Sequence, residues 1–173
     1  MSLPPELDTC LDQLTQSLAE AITVRALYNP VMIGIRTGGV WVAEHCHQAL
    51  GLSQPLGMLD ITFYRDDFSE IGVHPNVKPS ELPVDIEGQD VILVDDVLYT
   101  GRTIRAALNE IFDYGRPRQV LLAVLVERNG RQIPIVADCY GAKVALEQHQ
   151  RIKLLGPAPL SLTLQTVDYD RQA

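Results

Sequence analysis

Val91-Ile-Leu-Val-Asp-Asp-Val-Leu-Tyr-Thr-Gly-Arg-Thr103 passes from four consecutive apolar residues, through two aspartates and a short loop, into Thr-Gly-Arg-Thr ahead of a helical pattern. An apolar run of that kind reads as a strand buried on both faces. The helix that follows would present unpaired N–H groups and partial positive charge at its start, which together make an anion site. Gly101 lets the backbone approach an oxygen closely, the hydroxyls of Thr100 and Thr103 donate, and Arg102 adds charge, so the preferred guest is a phosphate monoester. Asp95 and Asp96 would repel that phosphate if they faced it. They suit vicinal sugar hydroxyls, which donate to carboxylates, or a divalent ion. A phosphate beside a pair of hydroxyls describes a ribose 5-phosphate. Taken singly, an aspartate or threonine in such a place often only caps a turn or a helix; the complete run is what points to a ligand. The chain has no Gly-x-x-x-x-Gly-Lys-Ser/Thr, and Gly34 to Gly39 does not match Gly-x-Gly-x-x-Gly, which excludes Walker-type and dinucleotide sites. A receiver-like phosphoaspartate site would have no use for the Thr-Gly-Arg-Thr loop.

Outward from this stretch, Ile104, Ala107, Leu108, Ile111 and Phe112 fall on one helical face, with Gly115 and Pro117 as stop signals. Val120 to Val126 reads as a further buried strand, and Pro134 to Ala137 as another. Upstream, Leu7, Leu11, Leu14, Leu18 and Ile22 follow helical spacing after Pro4 and Pro5. Val31 to Ile35 reads as a strand that ends in the tight loop Arg36-Thr37-Gly38-Gly39, and a helix from Val40 closes at Gly51. Pro55 to Tyr64 reads as a strand. Arg65 to Pro83, with three prolines and no periodicity, has the length of a lid or binding loop. Alternating strands and helices predict an α/β fold with a mainly parallel central sheet, in which ligands sit outside the carboxyl ends of the strands. Three such ends carry suggestive residues: Arg36 to Gly39, Asp95 to Thr103, and Glu127-Arg128.

The 173 residues suit one domain, 46% hydrophobic and 21% charged, which excludes disordered and fibrous classes. No apolar run is long enough to cross a bilayer, and the amino terminus has no signal-peptide pattern, so no membrane partner is expected. Three scattered cysteines, Cys10, Cys46 and Cys139, fit neither a zinc site nor a disulfide framework, and a reducing, cytoplasmic location follows. The net charge of −8 gives no general electrostatic reason to seek DNA or other nucleic acid. Within that acidic chain, residues 97 to 131 carry +3, all of it from arginine, whose fork matches phosphate. His45, His47 and Trp41 read as surface or packing residues, and Asp8, Asp12 and Glu20 as a solvated helix face.

Val91 to Thr103 resembles the phosphoribosyl-pyrophosphate (PRPP) motif of type I phosphoribosyltransferases, and its Val-Leu-Tyr form resembles that of the PyrR family. Asp60 to Asp67, Leu82-Pro-Val-Asp85, Tyr114-Gly-Arg-Pro117 and Leu122 to Arg128 agree with that family, and the similarity runs from the first helix to about Lys143. The resemblance implies a uracil phosphoribosyltransferase, which converts uracil and PRPP to UMP and pyrophosphate. Many family members also regulate pyrimidine biosynthesis genes, and the alternative under the same resemblance is a UMP/UTP-sensing, RNA-binding attenuation regulator with weak or vestigial catalysis. Purine and orotate transferases fit the Val-Leu-Tyr motif less well. By resemblance, Thr100, Gly101, Arg102 and Thr103 hold the 5-phosphate, Asp95 and Asp96 the ribose hydroxyls, and Val97, Leu98 and Tyr99 complete the PRPP loop. Arg36, Thr37, Gly38 and Gly39 form the pyrophosphate loop. Residues 65 to 83 form a hood in which Arg65 meets pyrophosphate. Arg128 faces the crevice, and Val136, Ala137 and Asp138 contact the base. Mg2+ enters with PRPP, without a dedicated protein cage, and a homodimer or higher homo-oligomer is expected.

Two departures from the family pattern bear on function. Many relatives place a basic residue where this chain has Gly38. Relatives that act on transcripts carry several basic residues in the stretch that here reads Arg128 to Asp138, with Val136 and later Ala142 apolar. Each lost phosphate contact weakens RNA binding steeply, so RNA is the least supported of the expected partners.

Overall fold

The computed structural model describes residues 3–61 and 80–167. In chain order they form α1 (Leu7–Val24), β1 (Val31–Ile35), α2 (Gly38–Leu50), β2 (Gly57–Leu59), β3 (Asp90–Leu98), α3 (Arg102–Tyr114), β4 (Gln119–Arg128), β5 (Cys139–Val144), β6 (Gln150–Leu155) and β7 (Ser161–Thr166). The first five strands make one parallel sheet in the order β2-β1-β3-β4-β5, and β6 and β7 pair as an antiparallel hairpin.

The sheet is sandwiched between helices because its strands are apolar on both faces. On one side Met32, Ile92, Val94, Leu121 and Ala123 meet Leu11, Leu14 and Leu18 of α1 and Val42, Ala43 and Cys46 of α2. On the other, Ile33, Val91, Leu93 and Val124 meet Ile104, Ala107 and Ile111 of α3. Phe112, expected on the same buried face, is instead 54% exposed, because the stripe of α3 that reaches the sheet is narrower than the helical pattern suggested. The cysteines are buried and free, and burial pushes the Cys46 thiol up to about 11. No helix among the described residues is long and apolar enough to cross a membrane.

Three expected elements differ. The described part of Pro55 to Tyr64 yields only the three-residue β2, and its last three residues lie outside the described segment. Pro134 to Ala137 is not a strand; pairing with β4 begins at Asp138, whose N–H donates to Leu122 O and whose carboxylate accepts from Leu122 N. The β6–β7 hairpin was unforeseen, although Arg151-Ile-Lys-Leu and Ser161-Leu-Thr-Leu alternate with the period of a strand. It packs Ile152, Leu154 and Leu162 onto the α1–α2 side of the core.

The chain lays β2 on one side of β1 and then β3 on the other. In open parallel sheets, such a reversal opens a crevice at the carboxyl ends, here between β1 and β3.

Candidate active site

Register fixes what meets in that crevice. Gly34 of β1 is level with Val94 of β3, so Arg36 leaves its strand beside the two aspartates. The chain then doubles back through Arg36-Thr37, a cis peptide, into the first turn of α2 at Gly38 and Gly39. These glycines are dictated by closeness. A Cβ on Gly39 would lie 2.7 Å from Val94 O and 3.2 Å from Asp95 Oδ1, and one on Gly38 would collide with the Asp96 carboxylate. The loop and the acidic pair are therefore in direct contact. The same geometry explains the departure at position 38: in this conformation the Asp96 carboxylate occupies the space that a side chain there would need.

β3 continues through the aspartates to Leu98, so the loop proper is Tyr99 to Gly101. Asp95 is 4% exposed, and its Oδ1 accepts from Asp96 N at 2.9 Å; Asp96 Oδ1 accepts from Val97 N at 2.9 Å. Val97 packs against one core and Leu98 is buried in the other, so these two residues of the expected PRPP loop are held as core residues. Gly101 then adopts φ +93, a left-handed conformation that favours glycine, and turns the chain into α3. Thr100 Oγ1 accepts from Arg102 N, the first N–H of α3, at 3.2 Å, and the N-cap residue Gly101 has no side chain to bond the N–H groups that follow. Thr100 to Thr103 thus surround a helix start suited to a phosphate.

Arg36 lies on the β2 side of the crevice with Nη2 3.2 Å from Glu81 Oε1. Its backbone N–H donates to Leu59 O at 2.9 Å. The chain between Ile61 and Ser80 leaves and returns at this same edge: Ser80 Oγ accepts from Asp60 N at 3.0 Å and donates to Glu110 of α3, and Glu81 pairs with Met58. Arg65 and most of the expected hood lie outside the described residues.

The expected base contacts are not brought here. Asp138 stands level with Leu122, before β5 begins, and its other carboxylate oxygen is paired with Arg25 at the end of α1. Ala137 is buried in the α3-side core, and Val136 is 70% exposed beside Phe112. All three sit on the amino-terminal side of β5, away from the carboxyl edge. Arg128 is at the correct edge but turned inward, 6% exposed, with Nη1 donating to Gln150 O at 2.8 Å and its guanidinium 4.0 Å from the Tyr99 ring centroid.

The edge of β4 and β5 holds a different polar group. A cleft of about 460 Å³ is lined by Glu127, Arg128, Arg131 and Lys143, among others. Glu127 and Lys143 face each other in register, level with Leu98 of β3. Arg131 Nη2 lies 2.7 Å from Glu127 Oε1, while the buried Glu127 Oε2 accepts no hydrogen bond and has the Lys143 ammonium at 3.6 Å. The signal for this group in the sequence was the charged Glu127-Arg128 at a strand end; Lys143 had none until β5 was placed beside β4.

Residues 11–154 match the model of the phosphoribosyl transferase domain. The chain is 54% identical over 165 residues to bifunctional protein PyrR of Pseudomonas fluorescens, covering 95% of this chain and 98% of that one. It is 51% identical over 174 residues to bifunctional protein PyrR of Nitrosococcus oceani, covering 97% and 98%. Among solved structures, hypoxanthine phosphoribosyl transferase of Trypanosoma cruzi superposes with a TM-score of 0.65 at 18% identity, covering 99% of this chain and 85% of that one. That of Staphylococcus aureus gives 0.61 at 17%, covering 83% and 77%. At those identities the structural likeness speaks for the fold.

Proposed function

The chain belongs to the PyrR family of phosphoribosyl transferases, and we propose that it transfers the phosphoribosyl group of PRPP to uracil, giving UMP and pyrophosphate. The observation that carries this reading is the direct contact of the Gly38-Gly39 loop with Asp95-Asp96 at the mouth of the crevice. That contact supports an amide-rich turn and a carboxylate pair acting together on one small ligand, with the start of α3 a three-residue loop beyond the end of β3.

In this reading the first turn of α3 holds the 5-phosphate, Asp95 and Asp96 accept from the ribose hydroxyls, and the backbone of residues 36 to 39, with Arg36, meets the pyrophosphate. Arg65 would add charge from the hood. The bond to pyrophosphate breaks ahead of bond formation to the base. Positive charge therefore grows on the sugar beside the carboxylates, and negative charge on the leaving group beside Arg36. Catalysis is then mostly positioning and electrostatics, and a closing hood would keep water from the activated sugar. The residues fit magnesium carried by PRPP: the Asp96 carboxylate, lying against Gly38 of the proposed pyrophosphate loop, would offer the ion an oxygen ligand. When bound, the ion would offset the charge of the departing pyrophosphate.

Uracil would lie over the ends of β4 and β5. The Lys143 ammonium, more than half exposed at this edge and 3.6 Å from Glu127 Oε2, would suit a ring carbonyl. A reading as RNA regulator gains less from the arginines: Arg116 and Arg118 precede the ten-residue β4 and Arg131 follows it, so the strand's length separates them.

With purified protein, PRPP and magnesium, uracil should be consumed while orotate, hypoxanthine and adenine are not. Turnover of a purine instead would overturn the base assignment. Binding of PRPP without turnover of any base would replace the transferase by a sensor. Lys143→Met should raise the KM for uracil about tenfold, the scale of one charge-assisted hydrogen bond, and leave the KM for PRPP within about twofold.

A further inference from the structure

We infer that the segment Arg128–Ile133, which follows β4, is a brace that sets the phosphate loop in its binding shape, with Arg131 and Gly130 as positioning residues for the reaction. The inference rests on the phosphate-loop reading of residues 100 to 103.

The two loops are joined at every residue of the shorter one. The Tyr99 ring carries the Arg128 guanidinium 4.0 Å from its centroid. Its edge lies so close to Gly130 (φ +107) that a Cβ there would collide with Tyr99 Cε2 and sit 3.2 Å from Cδ2. The Tyr99 carbonyl accepts from Arg131 Nη1. The Thr100 carbonyl accepts from both Gln132 N at 2.9 Å and Ile133 N at 3.1 Å. Around Gly101, the space where a Cβ would stand is bordered by Ile133 O at 3.4 Å and Arg131 Cδ at 3.5 Å. Arg102 Nε donates to Gln132 Oε1 at 3.1 Å.

Peptide planarity turns these ties into function. In a trans peptide the C=O of one residue and the N–H of the next point in opposite directions. Pinning the Tyr99 carbonyl to Arg131 therefore directs the Thr100 N–H away from the brace. Pinning the Thr100 carbonyl to two backbone amides does the same for the Gly101 N–H. The brace grips the acceptors on one side of the loop and so turns the Thr100 and Gly101 N–H groups to the other. Arg131 is itself fixed by Glu127 at 2.7 Å and its side chain is only 22% exposed, so the ordering is done before any ligand arrives. Arg128 and Arg131 thereby point inward, although they belong to the arginine-rich stretch of residues 97 to 131.

The test uses the full chain and ribose 5-phosphate as probe, read by calorimetry, with amide hydrogen exchange of residues 99 to 103 measured without ligand. Arg131→Ala should weaken ribose 5-phosphate about tenfold, since misplacing a binding group by about 1 Å can cost that much or more. It should also speed exchange at Thr100 and Gly101. Arg131→Lys, which keeps one donor, should recover part of the affinity. Gln132→Ala, at an exposed position that does not threaten folding, should weaken the ligand about threefold. If the unaltered protein binds ribose 5-phosphate and both alanine variants match it within twofold with unchanged exchange, the brace is wrong and the transferase reading stands. If the unaltered protein binds neither ribose 5-phosphate nor PRPP, the phosphate-loop reading fails and the brace falls with it.

Discussion

Asp95→Asn combined with Asp96→Asn should lower kcat/KM by about three orders of magnitude or more while the melting temperature moves by only a few degrees. The substitution separates two duties that the proposed function gives these carboxylates. One is local: Asp95 Oδ1 receives Asp96 N and Asp96 Oδ1 receives Val97 N, both at 2.9 Å. An asparagine carbonyl oxygen accepts the same bonds, so the end of β3 keeps its course. The other duty faces the crevice, where the second oxygen of Asp96 lies against Gly38 and Asp95 Oδ1 against Gly39. Amide groups there have no negative charge to offer the growing positive charge on the sugar. Their NH2 groups would also meet hydroxyl hydrogens donor to donor. Asp95 is 4% exposed, and neutralising a buried carboxylate relieves desolvation, so the fold has little to lose. Steady-state kinetics with PRPP and uracil, paired with thermal melting, reads both duties at once. Full activity in the folded double variant would remove these residues from the ribose site.

The sheet and the crevice were legible in the sequence where composition and periodicity agree. Val31 to Ile35, Val91 to Val94 and Val120 to Val126 are apolar on both faces because the strands are covered on both faces, and Thr100 to Thr103 announces a helix start by residue type alone. What failed was long-range pairing. Ile135-Val136-Ala137 has strand composition, yet Asp138 supplies the hydrogen bonds that begin the β5 ladder, and Val136 is left in solvent. The base contacts placed on those residues failed with it. Lys143 enters the cleft only because β5 runs parallel to β4 with Lys143 level with Glu127, a register no local pattern encodes. The inward turn of Arg128 and Arg131 was equally hidden, since charge shows in a sequence and the direction of a side chain does not. The hairpin of β6 and β7 was the one miss with a visible signal, an alternation of polar and apolar residues late in the chain.

At the opposite end of the sheet, Asp90→Ala should destabilise the fold by about 2–3 kcal/mol without altering the KM for PRPP or uracil. Asp90 is 2% exposed and joins three parts of the chain. Its carboxylate accepts from Arg118 Nε at 2.7 Å and also from Arg118 Nη2, from Tyr28 N at 2.6 Å, and from Gln119 Nε2 at 3.3 Å, while Arg118 reaches on to Ala26 O at 3.2 Å. The turn between α1 and β1 and the starts of β3 and β4 are thus tied to one group. The Arg118 side chain is 53% exposed and regains water when Asp90 is removed, which keeps the loss below that of a fully interior pair. For a chain of this size the melting temperature should fall by about 5–10 °C. Asp90 also makes stability depend on pH in a set direction. Burial alone would raise its pKa, but the hydrogen bonds from Arg118, Tyr28 N and Gln119, with the charge of Arg118, outweigh burial and hold the carboxyl below its ordinary value. The folded state therefore favours the charged form. Its contribution is complete above the unfolded-state pKa, near pH 4, and is lost as pH falls through the lower folded value. Urea unfolding at pH 7, 5 and 3 should show the gap between the unaltered protein and Asp90→Asn holding from pH 7 to 5 and narrowing at pH 3. A gap as wide at pH 3 as at pH 7 would mean that shape, and not charge, is what Asp90 supplies. The proposed catalytic carboxylates Asp95 and Asp96, about 17–20 Å along β3 from Asp90, should register neither change, because the phosphate loop is held from its own end of the sheet.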